Sequence, residues 1–144
     1  LSLIAFFAWV GLGADGLSGS PLSEMRVAYL LHNPETPLAR PTDLVAEMAM
    51  RCNPAMASRI LRERVGVLAE GALADLILVD YASPTPLTAQ NLSQHLALGR
   101  DGARVDTVIV AGCVVMRRGE FTTIDERAIA ARARELAARL WSRL

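Results

Sequence analysis

One acidic residue in this sequence stands where a protein could place catalytic chemistry. Asp15 lies in a Gly-Ala-Asp-Gly turn, residues 13–16, which follows an apolar segment and precedes a helix start at Ser20. In a (β/α)8 barrel, functional side chains occupy such strand-to-helix turns. A carboxylate there can hold a metal ion and accept a proton from the water that the metal acidifies. Asp15 equally fits a structural role, because aspartate stabilises tight turns.

Other chemical motifs are sparse. The two histidines, His32 and His95, form neither an HxH nor an HExxH motif, and we interpret them as capping or surface residues. The sequence contains no GxSxG motif for a nucleophilic serine. Three glycines within residues 11–16 match a dinucleotide-binding fingerprint, but Asp15 would set its carboxylate against the pyrophosphate. Dinucleotide binding is therefore disfavoured.

Composition argues against several function classes. The chain has 144 residues, enough for one domain, and its 15 basic and 15 acidic residues give no net charge. That balance, with only 5% aromatic residues, argues against nucleic-acid or anionic-membrane binding. The 52% of apolar residues predicts a folded core. Cys52 and Cys113 form no CxxC pair, and such cysteine usage suits a reducing cytoplasm.

The first ten residues are almost entirely apolar. This segment is shorter than the ~20 residues that a membrane-spanning helix needs. No basic residue precedes it, as one would in a signal peptide. We therefore interpret residues 1–10 as a buried element of a sheet or barrel. Because the chain begins with Leu1 rather than Met, we expect it to be a piece of a longer protein.

Helix signals dominate the first half of the chain. Ser20 followed by Pro21 predicts a helix start, and this helix should end before Pro34 because proline disfavours a helical predecessor. A proline-rich loop follows. Thr42 is the predicted cap of a second helix, and Asn53 is the predicted start of a third.

Strand signals appear in the second half. Residues 75–80 form a short apolar run between two aspartates, which predicts a buried strand. Residues 105–110 and 113–116 predict a hairpin around the Ala-Gly pair between them. A short helix is predicted at residues 91–98.

The last segment has the signals of an amphipathic helix. A capping box from Thr123 to Glu126 would start it, with Asp125 as the alternative cap. If its apolar stripe is buried, replacing Leu136 or Leu140 with alanine should cost about 2–5 kcal/mol of stability. The stripe consists of Ile129, Ala133, Leu136, Leu140 and Leu144.

Several segments resemble the metal-dependent amidohydrolase superfamily. Residues 10–16 (VGLGADG) look like its last barrel strand, which usually ends G-[ST]-D-[GS]. Residues 66–80 (GVLAEGALADLILVD) are similar to the family's return to its small β-sandwich domain, and residues 108–116 (VIVAGCVVM) to its final hairpin. Residues 81–87 and His95 resemble the SsnA-like aminohydrolase and chlorohydrolase branch.

The resemblance implies an α/β fold. This chain would supply the C-terminal end of a (β/α)8 TIM barrel, the C-terminal part of a small β-sandwich domain, and a terminal helix. Residues 1–64 would hold the last barrel strand and the helices after it, residues 65–122 the sandwich segment, and residues 123–144 the helix. The family's HxH pair and its other histidine ligands would lie upstream.

The resemblance also implies a function. The parent protein would be a metal-dependent hydrolase of the aminohydrolase or deaminase type, acting on C–N or C–Cl bonds of a small molecule through metal-activated water. Asp15 matches the family's metal-binding and proton-shuttling aspartate. The metal would be zinc, with iron as the alternative, and this segment alone would be inactive. We expect a cytoplasmic homo-oligomer that binds neither nucleic acid nor membrane; the alternative function is a non-catalytic scaffold or assembly domain.

Overall fold

The protein combines helices with one antiparallel sheet. The computed structural model describes residues 10–16, 19–31, 41–99 and 103–143. The helices are α1 (Pro21–Leu30), α2 (Pro41–Glu47), α3 (Asn53–Leu61), α4 (Leu92–Leu98) and α5 (Glu126–Trp141), and a π-helical turn, Met48–Cys52, joins α2 to α3. The strands are β1 (Leu76–Asp80), β2 (Arg104–Val110), β3 (Cys113–Arg117) and β4 (Glu120–Phe121), paired in that order. The predicted buried element before Val10 and the proline-rich loop before α2 lie outside the described residues.

Helix α1 begins at the predicted position. Pro21 occupies its first turn, where a backbone N–H has no helical partner to lose. The carbonyl of Ser20 accepts hydrogen bonds from the N–H groups of Ser23 and Glu24, at 2.9 and 3.2 Å. The Ser20 hydroxyl makes no capping hydrogen bond, so the proline and the backbone start this helix.

One other predicted helix start is wrong: Thr42 lies inside α2 rather than ahead of it, and it is buried. The predicted start at Asn53 is confirmed, since α3 begins at this residue. No break in the helical backbone precedes it, because Asn53 has a helical φ of −58° and ψ of −52° and its N–H donates to the carbonyl of Met48. The π turn continues the helical hydrogen bonding from α2 into α3, so the helical run from Pro41 to Leu61 has no break.

A small core forms where three helices meet. Met25 of α1, Val45 of α2 and Ala97 of α4 are all buried, and the Met25 side chain is 0% exposed. The Ser93 hydroxyl of α4 donates a hydrogen bond to the Asp43 carboxylate of α2. Among the described residues, burial of large apolar side chains is concentrated here.

The sheet contains the predicted hairpin. Strands β2 and β3 turn at Ala111 and Gly112, whose φ values of 48° and 79° fit the tight two-residue turns that favour right-handed strand twist. The Asp75 carboxylate accepts a hydrogen bond from the Ala111 N–H at 2.6 Å. The Gly112 N–H donates to the carbonyl of Ala74 at 3.0 Å. The chain entering β1 therefore fixes the hairpin turn.

The predicted burial of β1 is not found. The strand forms and pairs with β2, but Ile77 is 50% exposed and Leu78 56% exposed. Backbone hydrogen bonding to β2 satisfies the peptide groups of a strand without covering its side chains. Within the part of the chain that the structure describes, no element packs over the side chains of Ile77 and Leu78.

The structure shows which of the two predicted N-caps begins helix α5. The Asp125 carboxylate accepts a hydrogen bond from the Ala128 N–H at 3.0 Å, so Asp125 is the cap and the Thr123 capping box does not form. Glu135 pairs with Arg132 and Arg139 at 2.5 and 2.7 Å. No described residue of α5 is buried, and the predicted burial of its apolar stripe is not found; Leu144 lies outside the described residues.

Within residues 10–16, 19–31, 41–99 and 103–143, none of the helices combines the length and the apolar character that crossing a membrane requires.

Replacing Leu136 with alanine should change the stability of the 144-residue chain by less than about 0.5 kcal/mol, because the side chain is 48% exposed. Met25→Ala is the matched control, and it should cost about 2–5 kcal/mol because it empties the centre of the three-helix core. Urea unfolding followed by circular dichroism measures both. Equal losses in the two variants would show that α5 is buried in solution.

Gly66→Ala should destabilise the chain more than Gly71→Ala. Both glycines have a left-handed backbone, with φ of 74° and 76°, so both variants carry about 1–2 kcal/mol of backbone strain. Only at Gly66 would the new Cβ meet a neighbour, the Cβ of Pro54 at 2.2 Å. We expect a total loss of about 2–4 kcal/mol at Gly66. Urea midpoints that fall equally would mean that Pro54 moves aside.

Candidate functional site

Asp15 lies at an exposed turn. Its backbone has a φ of 47°, a left-handed conformation that aspartate adopts more readily than most residues. The residues before it, 10–14, form no strand pairing with any described part of the chain. The structure thus presents the Asp15 carboxylate to solvent, while the barrel strand expected around it stays a prediction.

A single side chain holds the backbone just before this turn. The Leu12 N–H donates to Oδ1 of Asn53 at 2.9 Å, and Nδ2 of Asn53 donates to the Leu12 carbonyl at 2.8 Å. The two residues are 41 positions apart in sequence. One carboxamide therefore satisfies both backbone groups of Leu12, in the way that a neighbouring strand would. We call this pair of hydrogen bonds the Asn53 clamp.

Gly11 makes room for the Asn53 clamp. A Cβ at Gly11 would lie 2.1 Å from Oδ1 of Asn53 and 2.4 Å from Cε of Met56. The Met56 methyl group is the end of a flexible side chain and can move, whereas the Asn53 carboxamide is held by two hydrogen bonds. The glycine that resembled part of a nucleotide fingerprint is thus explained by packing against α3.

The described residues supply one candidate metal ligand at this turn. Across residues 10–16, 19–31, 41–99 and 103–143, no group of three His, Cys, Asp or Glu side chains could enclose a metal ion. His32 lies outside the described residues. The remaining ligands of a hydrolytic site, which needs about three, would have to come from elsewhere.

The His95 side chain is held by two neighbouring side chains. Its Nδ1 is 2.6 Å from the Tyr81 hydroxyl, and its Nε2 is 3.1 Å from the Thr85 hydroxyl. The Tyr81 ring meets the imidazole edge-on, with centroids 5.8 Å apart. Since both ring nitrogens have side-chain partners, His95 joins α4 to the segment after β1.

The role of the Asn53 side chain is what sequence reasoning missed. Its position before Pro54 predicts the helix start that the structure shows, but nothing local indicates a partner far upstream. One signal was available: asparagine is unfavourable inside a helix, because its side chain competes for backbone hydrogen bonds. An asparagine that a helix runs through therefore indicates a partner for its carboxamide outside that helix.

The family follows from a direct match. A model of the Amidohydrolase family matches residues 4–115, most of the chain and all of the Asp15 turn. This chain belongs to the amidohydrolase family. The resemblance seen in residues 10–16 and 66–80 is thereby confirmed at the level of the family.

Curated relatives of this amidohydrolase are named as deaminases. A 5-methylthioadenosine/S-adenosylhomocysteine deaminase from Pelotomaculum thermopropionicum is 41% identical over 142 residues, covering 94% of this chain and 32% of the relative. A 5'-deoxyadenosine deaminase from Methanocaldococcus jannaschii is 32% identical over 131 residues, covering 88% of this chain and 30% of the relative. This amidohydrolase chain thus spans about a third of the length of these relatives.

Solved structures show the same fold. The zinc complex of atrazine chlorohydrolase TrzN from Arthrobacter aurescens TC1 superposes with a TM-score of 0.56 at 24% identity, covering 80% of this chain and 26% of that one. A mutant of the same enzyme, complexed with zinc and atraton, gives 0.58 at 23% identity. At this level of identity the likeness concerns the fold of the amidohydrolase chain alone.

Tyr81→Phe and His95→Ala should destabilise the chain by non-additive amounts. Each removes one side of the Tyr81–His95 hydrogen bond, and a lost side-chain hydrogen bond costs about 1 kcal/mol. The double variant should lose less than the sum of the single variants, because the shared bond is counted once. Urea unfolding of the four proteins in this cycle measures the coupling. Additive losses would show that the bond does not form in solution.

Proposed function

We propose that this chain is the C-terminal portion of a longer metal-dependent hydrolase, which we call the parent protein. The observation that carries the proposal is the Asp15 carboxylate, exposed on a turn within the segment that the family model matches. Residues 1–64 would complete the barrel, residues 65–122 would contribute to the β-sandwich domain, and residues 123–144 would form the terminal helix. The coverage of about a third of each relative supports a parent protein that is longer than this chain.

Asp15 suits a divalent metal as one ligand. Carboxylate oxygens are among the donors that zinc accepts, and the turn leaves this carboxylate open to solvent. A fold relative is complexed with zinc, which supports a divalent metal; we propose zinc, with iron as the alternative. Zinc, when bound, would lower the pKa of a coordinated water so that it becomes a nucleophile near neutral pH.

The role of Asp15 in the reaction would be to hold and move a proton. Its carboxylate oxygen can accept the proton that the attacking water loses and deliver it to the departing nitrogen, which otherwise leaves as a strongly basic anion. The relatives named as deaminases support a C–N bond on an amino-substituted heterocycle as the target. A chloride, the leaving group in the alternative C–Cl reaction, would need no proton.

The wider setting of the parent protein is also proposed. A small-molecule substrate agrees with the names of the relatives. The zero net charge supports a protein that binds neither nucleic acid nor membranes. The two free cysteines, Cys52 and Cys113, support a cytoplasmic location. The exposed apolar faces of β1 and α5 support assembly into a homo-oligomer.

A non-catalytic assembly domain is the second candidate function. The observation in its favour is that the described ranges hold no three-ligand cluster, while β1 and α5 expose apolar side chains. In that case Asp15 would only stabilise its turn. The two candidates differ in whether zinc content and turnover depend on Asp15.

The 144-residue chain should bind zinc weakly and should not hydrolyse amino- or chloro-substituted heterocycles, since a single carboxylate cannot supply a hydrolytic site. The parent protein should bind zinc and turn over such a substrate, and Asp15→Ala in the parent should lower kcat by about 100- to 10,000-fold. Equilibrium dialysis with zinc and steady-state kinetics measure these outcomes.

Asp75→Ala is the control for this experiment, because Asp75 carries an equal charge but bonds the Ala111 N–H far along the chain. It should lose stability and keep its zinc. Tight stoichiometric zinc on the 144-residue chain, or full activity of the Asp15→Ala parent, would refute the assignment.

A further inference from the structure

We propose that Asn53 is a positioning residue for Asp15: its two hydrogen bonds to Leu12 fix the backbone from which the Asp15 carboxylate reaches the metal. The inference rests on the proposed function, and it adds to that function a residue on a different element. The observations behind it are the Asn53 clamp, the space that Gly11 leaves for it, and the place of Asn53 directly after the π turn.

The clamp acts close to Asp15 along the chain. Leu12 and Asp15 are separated by three peptide units, which span at most about 11 Å when fully extended. The turn at Asp15 shortens that reach. Because this connection is short, we expect a displacement of Leu12 relative to α3 to shift the Asp15 backbone as well. Misplacing a reacting group by about 1 Å can cost about 100-fold in rate.

The chemistry of a carboxamide matches this task. The clamp needs an acceptor for the Leu12 N–H and a donor for the Leu12 carbonyl on one planar group. Aspartate supplies the acceptor but no donor when ionised, and leucine supplies neither. Asparagine is therefore the side chain of this size that satisfies both backbone groups at once.

Asn53 contributes nothing to its own helix through this side chain. Its backbone is helical, and its N–H already donates to Met48. Asparagine inside a helix is less favourable than alanine. The two hydrogen bonds to Leu12 outweigh that cost. The side chain thus serves the Leu12 segment rather than α3.

Helix α3 gives the clamp a firm base. It continues through the π turn into α2, and α2 packs against α1 and α4 around Met25 and Val45. Helix α1 follows the Asp15 turn in sequence, after residues outside the described part. The same helical unit therefore holds the chain on both sides of Asp15, by the clamp before it and by α1 after it.

The test compares Asn53→Asp with Asn91→Asp in the zinc-loaded parent protein. Asn91 is a matched control, because it also binds two backbone groups: it accepts from the Thr88 N–H at 2.8 Å and donates to the Pro86 carbonyl at 2.9 Å. Both variants keep the acceptor and lose the donor. Because the Asn91 bonds are exposed and the Asn53 bonds are partly buried, Asn91→Asp should lose less stability, and urea unfolding of both variants measures that difference apart from zinc affinity and turnover.

Three measurements separate positioning from stability. Asn53→Asp should lower zinc affinity and kcat by about 10- to 100-fold while KM stays within about twofold. Asn91→Asp should leave zinc affinity, kcat and KM within about twofold of wild type. Hydrogen exchange of the Leu12 amide should become faster in Asn53→Ala, which removes the acceptor of that amide, and should stay unchanged in Asn91→Asp. This readout is independent of turnover.

Gly11→Ala provides a second route if Asn53→Asp does not fold. The added Cβ displaces the carboxamide without removing it, so zinc affinity and kcat should fall as they do in Asn53→Asp. In an Asn53→Ala background the same Gly11→Ala change should cause little further loss, because the carboxamide is gone and only the flexible end of Met56 remains close to the new Cβ.

The outcomes distinguish this inference from the proposed function. If Asp15→Ala lowers zinc affinity and kcat but Asn53→Asp and Gly11→Ala leave both within twofold of wild type, the clamp is only structural and the inference is wrong. If Asp15→Ala itself changes neither, the proposed function fails and the role of Asn53 fails with it. Losses in the Asn53 and Gly11 variants, with none in Asn91→Asp, support positioning.

Discussion

Two hydrogen bonds from one carboxamide connect the Asp15 turn to the helical part of the protein. Without Asn53, the N–H and the carbonyl of Leu12 would lose the partners that they now have. Residues 10–14 pair with no strand among the described residues, so no strand replaces these bonds. Gly11 leaves room for this contact, and the helical backbone of Asn53, directly after the π turn, carries the carboxamide that makes it. The position of the candidate site therefore depends on α3 more than on its own neighbours in sequence.

Stability is distributed unevenly over the described residues. Apolar burial stabilises the three-helix core around Met25, whereas the sheet is stabilised mainly by its backbone hydrogen bonds. Helix α5 is stabilised by its Asp125 cap and by the ion pairs of Glu135, which act within the helix itself. Segments with few buried contacts open at lower free energy than a core. The helices that hold the Asp15 turn are thus the part of the chain with the best-defined packing.

Local patterns in the sequence predicted local structure well. The Ser20–Pro21 start of α1 and the Ala111–Gly112 turn depend on the conformations that these residues themselves prefer. The sequence alone was therefore sufficient to predict both features. The cap of α5 was narrowed to Thr123 or Asp125, and only side-chain geometry could choose Asp125. These features need no knowledge of distant residues.

Features that depend on distant residues could not be predicted in the same way. The apolar run at residues 75–80 predicts a strand, but its burial depends on what covers it, and the described residues leave Leu78 exposed. The role of Asn53 depends on Leu12, 41 positions away, and no local pattern joins them. Asp15 was found as a candidate ligand from its turn and its resemblance to a family. The partners that would complete a metal site are not found among the described residues.

The π turn Met48–Cys52 has consequences for chain length. A π turn holds about one residue more than an α-helical turn, so deleting one residue here would leave a regular α-helix. Because the π turn and the α-helical turn each complete one revolution, the side chains beyond such a deletion would keep nearly their present orientation, and the Asn53 carboxamide would still face Leu12. Surface loops tolerate insertions and deletions because few contacts depend on their length. The π turn gives this helical run one position at which it can lose a residue without losing its contact with Leu12.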